Sequence, residues 1–136
     1  MVARIYISLF VFILLFSSSG CSQEIPEVSP AQVKQILDEK EDVIIIDVRT
    51  SGEFTGELGH IPGAILRPLQ EIEDWQTEFS EENDNRIIMV CRSGNRSGVT
   101  TRYFLDHDYL NVQNMSGGMR AWNELSFPIE KSPAEE

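Results

Sequence analysis

Positive charge is scarce in this chain. Eleven lysines and arginines stand against 22 aspartates and glutamates, a formal net charge of −11. Such a surface repels nucleic acid and anionic headgroups, and no basic stripe reverses this, so no nucleic-acid partner is expected. Cysteine is scarcer: there are two, Cys21 and Cys91. They form no C-x-x-C pair, so dithiol exchange within the chain is not expected. Histidine is equally rare, and neither His60 nor His107 has metal-ligand spacing to a cysteine. No metal and no cofactor is expected. No apolar run reaches the roughly 20 residues that span a bilayer, and no internal repeat is visible. A length of 136 residues suits one domain.

What is present begins with an export signal. "MVAR" carries one positive charge, "IYISLFVFILLF" (Ile5 to Phe16) is apolar and uncharged, and "SSSG" leads to Cys21. A charged start, an apolar middle and small residues before a cut make a secretory signal, here residues 1–20. "SSGC" resembles the lipobox of bacterial lipoproteins, with Ser18 where an aliphatic residue is usual. The resemblance implies cleavage before Cys21 and lipid on its thiol. The alternatives are an ordinary secretory signal or an uncleaved anchor with a chance cysteine. Residues 21–27 then form a tether, 28–131 a domain and 132–136 a tail. The expected location is the cell envelope, lipid-anchored and facing the periplasm or the cell exterior. Ser22 after the cysteine favours the outer membrane. Loss of Arg4 with the signal makes the mature chain one unit more acidic.

Strands and helices alternate through the domain. "VSPAQVKQILDEK" reads as a helix capped by Ser29, with Pro30 at its first position and Gln32 closing a capping box. "DVIIID" (Asp42 to Asp47) and "RIIMV" (Arg86 to Val90) are continuous apolar runs, as in strands buried on both faces. Short strands are expected around Ala64 to Leu66 and at "NVQNM". "LQEIEDWQTEFS" reads as helical with Ile72, Trp75 and Phe79 on one face. "SGVTTRYFLDHD" reads as a helix starting near Ser97, with Val99, Tyr103 and Phe104 inward. "GGMRAWNEL" is a tight turn at Gly117 and Gly118 into a last helix. The pattern predicts an α/β fold with a parallel sheet covered on both faces. In such sheets, sites form where strands end.

Cys91 stands at such an end. It follows "RIIMV" directly and opens "CRSGNRSG". A thiol is a useful nucleophile only as thiolate. Ser93, Gly94, Asn95 and Gly98 are small or tolerate unusual backbone angles, so the loop can curl its N–H groups onto a central anion. A helix starting near Ser97 would point its positive end at the sulfur. Arg92 and Arg96 add charge. The bland alternative, a buried inert cysteine, does not account for two arginines and two glycines at this point. A solitary thiol in an exported protein also needs a reason beyond packing.

With these residues in hand the chain resembles a family. "CRSGNRS" resembles the active-site loop of rhodanese-like sulfurtransferases. "IIIDVRTSGEF" followed by "GHIPGA" resembles the family's N-terminal signature, and "NVQNMSGGMRAW" followed by "FPI" its C-terminal one. The resemblance covers Val28 to Glu130. It implies a small rhodanese-like α/β domain with a central, mostly parallel five-stranded sheet and helices on both faces. It implies that Cys91 is the nucleophile, taking sulfur from a small anionic donor such as thiosulfate and passing it, through a persulfide, to cyanide or a thiol. Arg92, Ser93, Gly94, Asn95, Arg96 and Ser97 would bind donor or shape the loop, with one arginine free to pair with a carboxylate instead. The sequence departs at "TGEL", four residues between Phe54 and Gly59 where two are common, and at "ILRPL".

Asp47 and Arg49 either line the site or form an ion pair that holds the loops, and the ion pair is the simpler reading. Glu53 can pair with a loop arginine. His60 reads as structural and His107, beside Asp106 and Asp108, as a solvated or capping residue. Three other functions share the sequence. A persulfide carrier or binding module, docked to a protein partner at the membrane, would use the same loop. So would a redox sensor. A phosphatase or arsenate-reductase-like enzyme would need arginine six places after the cysteine, where Ser97 stands; Arg96 is one place early.

Overall fold

The computed structural model describes residues 24–79 and 85–134. The expected export signal, Cys21 with the start of the tether, and the end of the tail lie outside the described residues.

Five strands form the sheet: β1 (Glu27–Val28), β2 (Val43–Asp47), β3 (Ile65–Leu66), β4 (Arg86–Val90) and β5 (Val112–Met115). Their order is β1-β5-β4-β2-β3 and every pairing is parallel. β2 and β4 are the apolar runs at the centre, where both faces are covered and alternation has no use. β1 is a strand the residue pattern did not reveal, since two residues carry no period.

Alternation along the strands sorts the side chains into two cores. One holds Ile45, Ile88, Val90 and Met115 beneath α1 (Pro30–Asp38) and α5 (Gly118–Glu124), which contribute Val33, Ile36, Met119 and Trp122. The other holds Ile46, Ile87, Met89 and Val112 against α3 (Ile72–Trp75) and α4 (Asn95–Asp106), through Trp75 and Phe104, with Phe79 joining them from the turn after α3. Cys91 continues the β4 alternation and belongs to this second face.

Local chemistry explains the helices. α1 starts as its capping box dictates: the Ser29 hydroxyl accepts from Gln32 N–H, and the Gln32 side chain accepts from Ser29 N–H at 2.9 Å. α2 (Ser51–Phe54) repeats the device with Thr50 and Glu53. The segment read as one helix over "LQEIEDWQTEFS" is α3 flanked by two 3-10 turns, Leu69–Glu71 and Gln76–Glu78. Trp75 and Phe79 are still buried, with Ile72 packed beside them.

Two expectations for α4 are corrected. It starts at Asn95, two residues before Ser97, because Gly94 takes a left-handed φ of 96° and turns the chain early. Val99 does not face inward; it is 61% exposed. The buried face is Ser97, Thr100, Thr101 and Phe104, an i, i+3, i+4, i+7 set that leaves Val99 outside. Thr100 and Thr101 fit there because their hydroxyls donate back to the carbonyls of Arg96 and Ser97 at 2.9 and 2.8 Å.

Candidate active site

The C-terminal end of β4 delivers Cys91 to the middle of the sheet edge, and the chain then curls from Cys91 to Ser97. Cys91 is buried, at 1% exposed. The carbonyls of Cys91 and Arg92 point away from the sulfur and accept from Met119 N–H and Arg120 N–H, at 2.8 and 3.0 Å. With its carbonyls spent on α5, the loop is free to aim donors inward. Gly94 N–H donates to Cys91 Sγ at 3.1 Å, and the Ser97 hydroxyl lies 3.2 Å from the same sulfur. The first bond inside α4 runs from Gly98 N–H to Gly94 O. Ser97 N–H therefore has no partner within the helix, and it too serves the sulfur, as does Ser93 N–H.

These donors favour the charged form of the sulfur. Burial pushes the Cys91 thiol up, and is the largest single influence. The Ser97 hydroxyl and the N–H groups of Ser97, Ser93 and Gly94 together outweigh it, so the pKa ends below that of an ordinary cysteine. Gly118 makes the close approach of α5 feasible. Its φ is 57°, and a Cβ there would overlap Cys91 O and the Arg92 carbonyl.

The other loop residues separate by role. Arg96 is half-buried and makes a two-pronged pair with Glu53, at 2.6 and 2.9 Å. That pairing holds the Glu53 carboxyl down at about 2 against an ordinary 4.5, with Arg96 the main cause and the Thr50 N–H and hydroxyl assisting against burial. Glu53 in turn pushes Arg96 further up. Arg96 is thus a strut between the loop and α2. Asp47 and Arg49 are buried as an ion pair at 2.6 Å, and Arg49 also donates to Gly59 O at 2.6 Å and Glu53 O at 3.3 Å. They tie the ends of the α2 region to β2. Ser93 and Asn95 are exposed on the loop rim.

Arg92 is exposed and, among the described residues, its guanidinium has no side-chain or carbonyl partner. Arg120 is in the same position. The two line a cavity of about 320 Å³ with Arg49, Glu53, Glu57 and Leu58. Sequence reasoning missed Arg120, which no spacing marks; the α5 backbone bond to Arg92 O is what brings it to the loop. It missed Asn114 as well. This β5 residue is buried, with Oδ1 at 2.6 Å from the Ser97 hydroxyl. Its place beside β4 in a parallel sheet was the available signal.

His60 is occupied elsewhere. Its ring stacks on Phe54 at 3.5 Å, Nδ1 bonds Phe54 O at 2.9 Å and Nε2 lies 3.7 Å from Glu130. His107 ends α4, with Nδ1 bonded to Tyr103 O at 2.7 Å. Among the described residues no group of His, Cys, Asp and Glu is arranged to hold a metal ion.

A family model described as a rhodanese-like domain matches residues 29–125. A thiosulfate sulfurtransferase of Pseudoalteromonas translucida is 36% identical over 95 residues, covering 70% of this chain and 86% of that one. A Bacillus subtilis protein provisionally named a sulfur carrier is 37% identical over 105 residues, 77% of this chain but only 55% of its own length. Among solved structures, a rhodanese-like domain protein from Staphylococcus aureus superposes with a TM-score of 0.66 at 31% identity, covering 78% of this chain and 99% of that one.

Proposed function

The chain belongs to the rhodanese-like sulfurtransferase family, and from that premise we propose that it moves sulfane sulfur through a persulfide on Cys91. The observation that supports this best is the ring of inward donors around one buried sulfur. The Cys91 thiolate attacks the outer sulfur of thiosulfate or a similar anion. The Sγ–S bond forms as the S–SO3 bond breaks, and sulfite leaves with the electron pair. Cyanide or a thiolate then attacks the outer sulfur, the Sγ–S bond breaks, and Cys91 thiolate returns.

On this reading each partner has a task. Arg92 and Arg120 hold the anionic end of the donor in the cavity they line. The added sulfur stands about 2 Å beyond Sγ and so rises toward the mouth of the loop, where an acceptor meets it. The N–H groups that hold the thiolate also hold the leaving thiolate in the second step, so no histidine base is required.

Thiosulfate:cyanide turnover by the intact protein tests the proposal, with Cys91→Ser as the control. Turnover and the gain of one sulfur atom in mass on Cys91 are expected in the native protein only. Neither activity nor added sulfur after exposure to several sulfane donors refutes it. A second reading, persulfide carriage to one protein partner, is favoured by the relative named as a carrier. It predicts sulfur loading on Cys91 without release to small acceptors.

We further propose that Cys21 carries lipid and holds the domain at the envelope face of a membrane, the outer membrane in a Gram-negative cell. No helix among the described residues is long and apolar enough to cross a bilayer. Intact-mass analysis of protein isolated from its own membranes decides this; an unmodified Cys21 refutes it.

A further inference from the structure

Ser97 stands between two acceptors and owns one proton. Its Oγ is 2.6 Å from Asn114 Oδ1 and 3.2 Å from Cys91 Sγ. The far side of Asn114 fixes which way its amide faces. Nδ2 donates to Glu27 Oε1 at 3.1 Å, and the reversed amide would set two oxygens against each other. Oδ1 therefore meets Ser97. An amide oxygen holds no hydrogen, so the proton in that short contact is the one on Ser97. A hydroxyl that donates to Asn114 turns a lone pair toward sulfur. This suits a thiol, whose S–H can donate to Oγ, and it denies the thiolate a donor.

We propose that Asn114 is a positioning residue that competes with the Cys91 thiolate for the Ser97 proton, and that Glu27 holds its amide in the competing orientation. While the sulfur is neutral, the bonds run from Cys91 to Ser97 to Asn114, and Asn114 donates on to Glu27. When Cys91 ionises, its own proton leaves and the Ser97 O–H rotates onto Sγ. Asn114 Oδ1, in a residue 3% exposed, then loses its donor. No bond to oxygen breaks; one torsion turns. The abandoned acceptor opposes ionisation while the loop N–H groups favour it.

The competition rests on Cys91 working as a thiolate, as proposed above, and it gives the cycle a rhythm. Persulfide formation removes the charge from Sγ, and the hydroxyl returns to Asn114. Release of the sulfur restores the charge and draws it back.

Among the described residues the charged groups about Cys91 are Arg96 with Glu53, the Asp47–Arg49 pair, the exposed Arg92 and Arg120, and Glu27 behind Asn114. Asn114→Ala adds and removes no charge; exposed Glu27 loses one bond to it and keeps its access to water. The test is the pH dependence of carbamidomethylation at Cys91, read by mass on its own peptide so that Cys21 does not contribute. It is run on the full chain with Asn114→Ala, Ser97→Ala and the double variant. It reads ionisation and not sulfur transfer, so this inference and the proposed function fail separately.

Asn114→Ala is expected to lower the Cys91 pKa by about half a unit or more, roughly a threefold gain in thiolate at lower pH. Ser97→Ala is expected to raise the pKa more in the Asn114→Ala background than in the native chain, because there the hydroxyl serves sulfur alone. If Asn114 merely steadied Ser97 as a donor to sulfur, both signs would reverse. An unchanged or raised pKa, or an equal or smaller Ser97 increment, overturns the proposal. Should Asn114→Ala fail to fold, exposed Glu27→Gln frees the amide to turn, with Glu24→Gln as the control for charge alone. Glu27→Gln must lower the pKa by more than Glu24→Gln; equal shifts overturn it.

Discussion

Replacing Glu53 by glutamine isolates the strut that holds the loop to α2. The amide keeps an oxygen for the capping box with Thr50, so α2 still starts where it does. What is lost is the charge that meets Arg96 at 2.6 and 2.9 Å. The fall of the Glu53 carboxyl from 4.5 to about 2 corresponds, taken at face value, to roughly 3 kcal/mol. The side chains are 29% and 32% exposed, so solvent screening reduces the contribution to about 1–2 kcal/mol. A domain of this size should then melt ~4–8 °C lower. The pH window follows from the direction of the shift. A carboxyl with a depressed folded pKa contributes fully above its unfolded value of 4.5, and that contribution fades as pH falls toward 2. The melting difference between native and Glu53→Gln chains should be full at pH 7, shrink below pH 4.5 and be mostly gone by pH 2, by calorimetry or circular dichroism. No difference at pH 7, or one undiminished at pH 2, refutes the reasoning.

Gly118→Ala should cost roughly 3 kcal/mol or more in denaturant unfolding, because a left-handed φ and an overlap with the Cys91 and Arg92 carbonyls leave no cheap relaxation; a loss under about 1 kcal/mol would show that the loop and α5 part easily. Arg120→Ala should raise KM for thiosulfate about 2- to 5-fold with kcat little changed, and the gap should narrow as salt rises. Its backbone bond to Arg92 survives the change, so a fall in kcat alone would contradict a donor-binding role.

Where the sequence was legible, a short-range rule was at work. Ser29, Pro30 and Gln32 mark the start of α1 because capping is settled within four residues. The β2 and β4 runs are unmistakable because both faces are covered. Cys91 is legible because a strand end, glycines and arginines coincide there. α4 misled the eye through Val99. Its buried face is largely hydroxyl-bearing, and Thr100 and Thr101 hide their polarity by bonding backward, so apolar character pointed to the wrong side. β1 was too short to carry a pattern. Asn114 and Arg120 gain their places from other elements, one through the β4–β5 pairing and one through the clamp on Arg92 O. Such placements exist only after the sheet has assembled.

The two-residue edge strand β1 has a consequence for where the enzyme works. It pairs in register with Asn114 and Met115. The strand begins six residues after Cys21. If Cys21 is fastened in lipid as proposed, a fully stretched leash of that length reaches only about 20 Å. A strongly acidic body would be kept almost touching its bilayer, so whatever hands it sulfur must be small, or must itself live at the same surface.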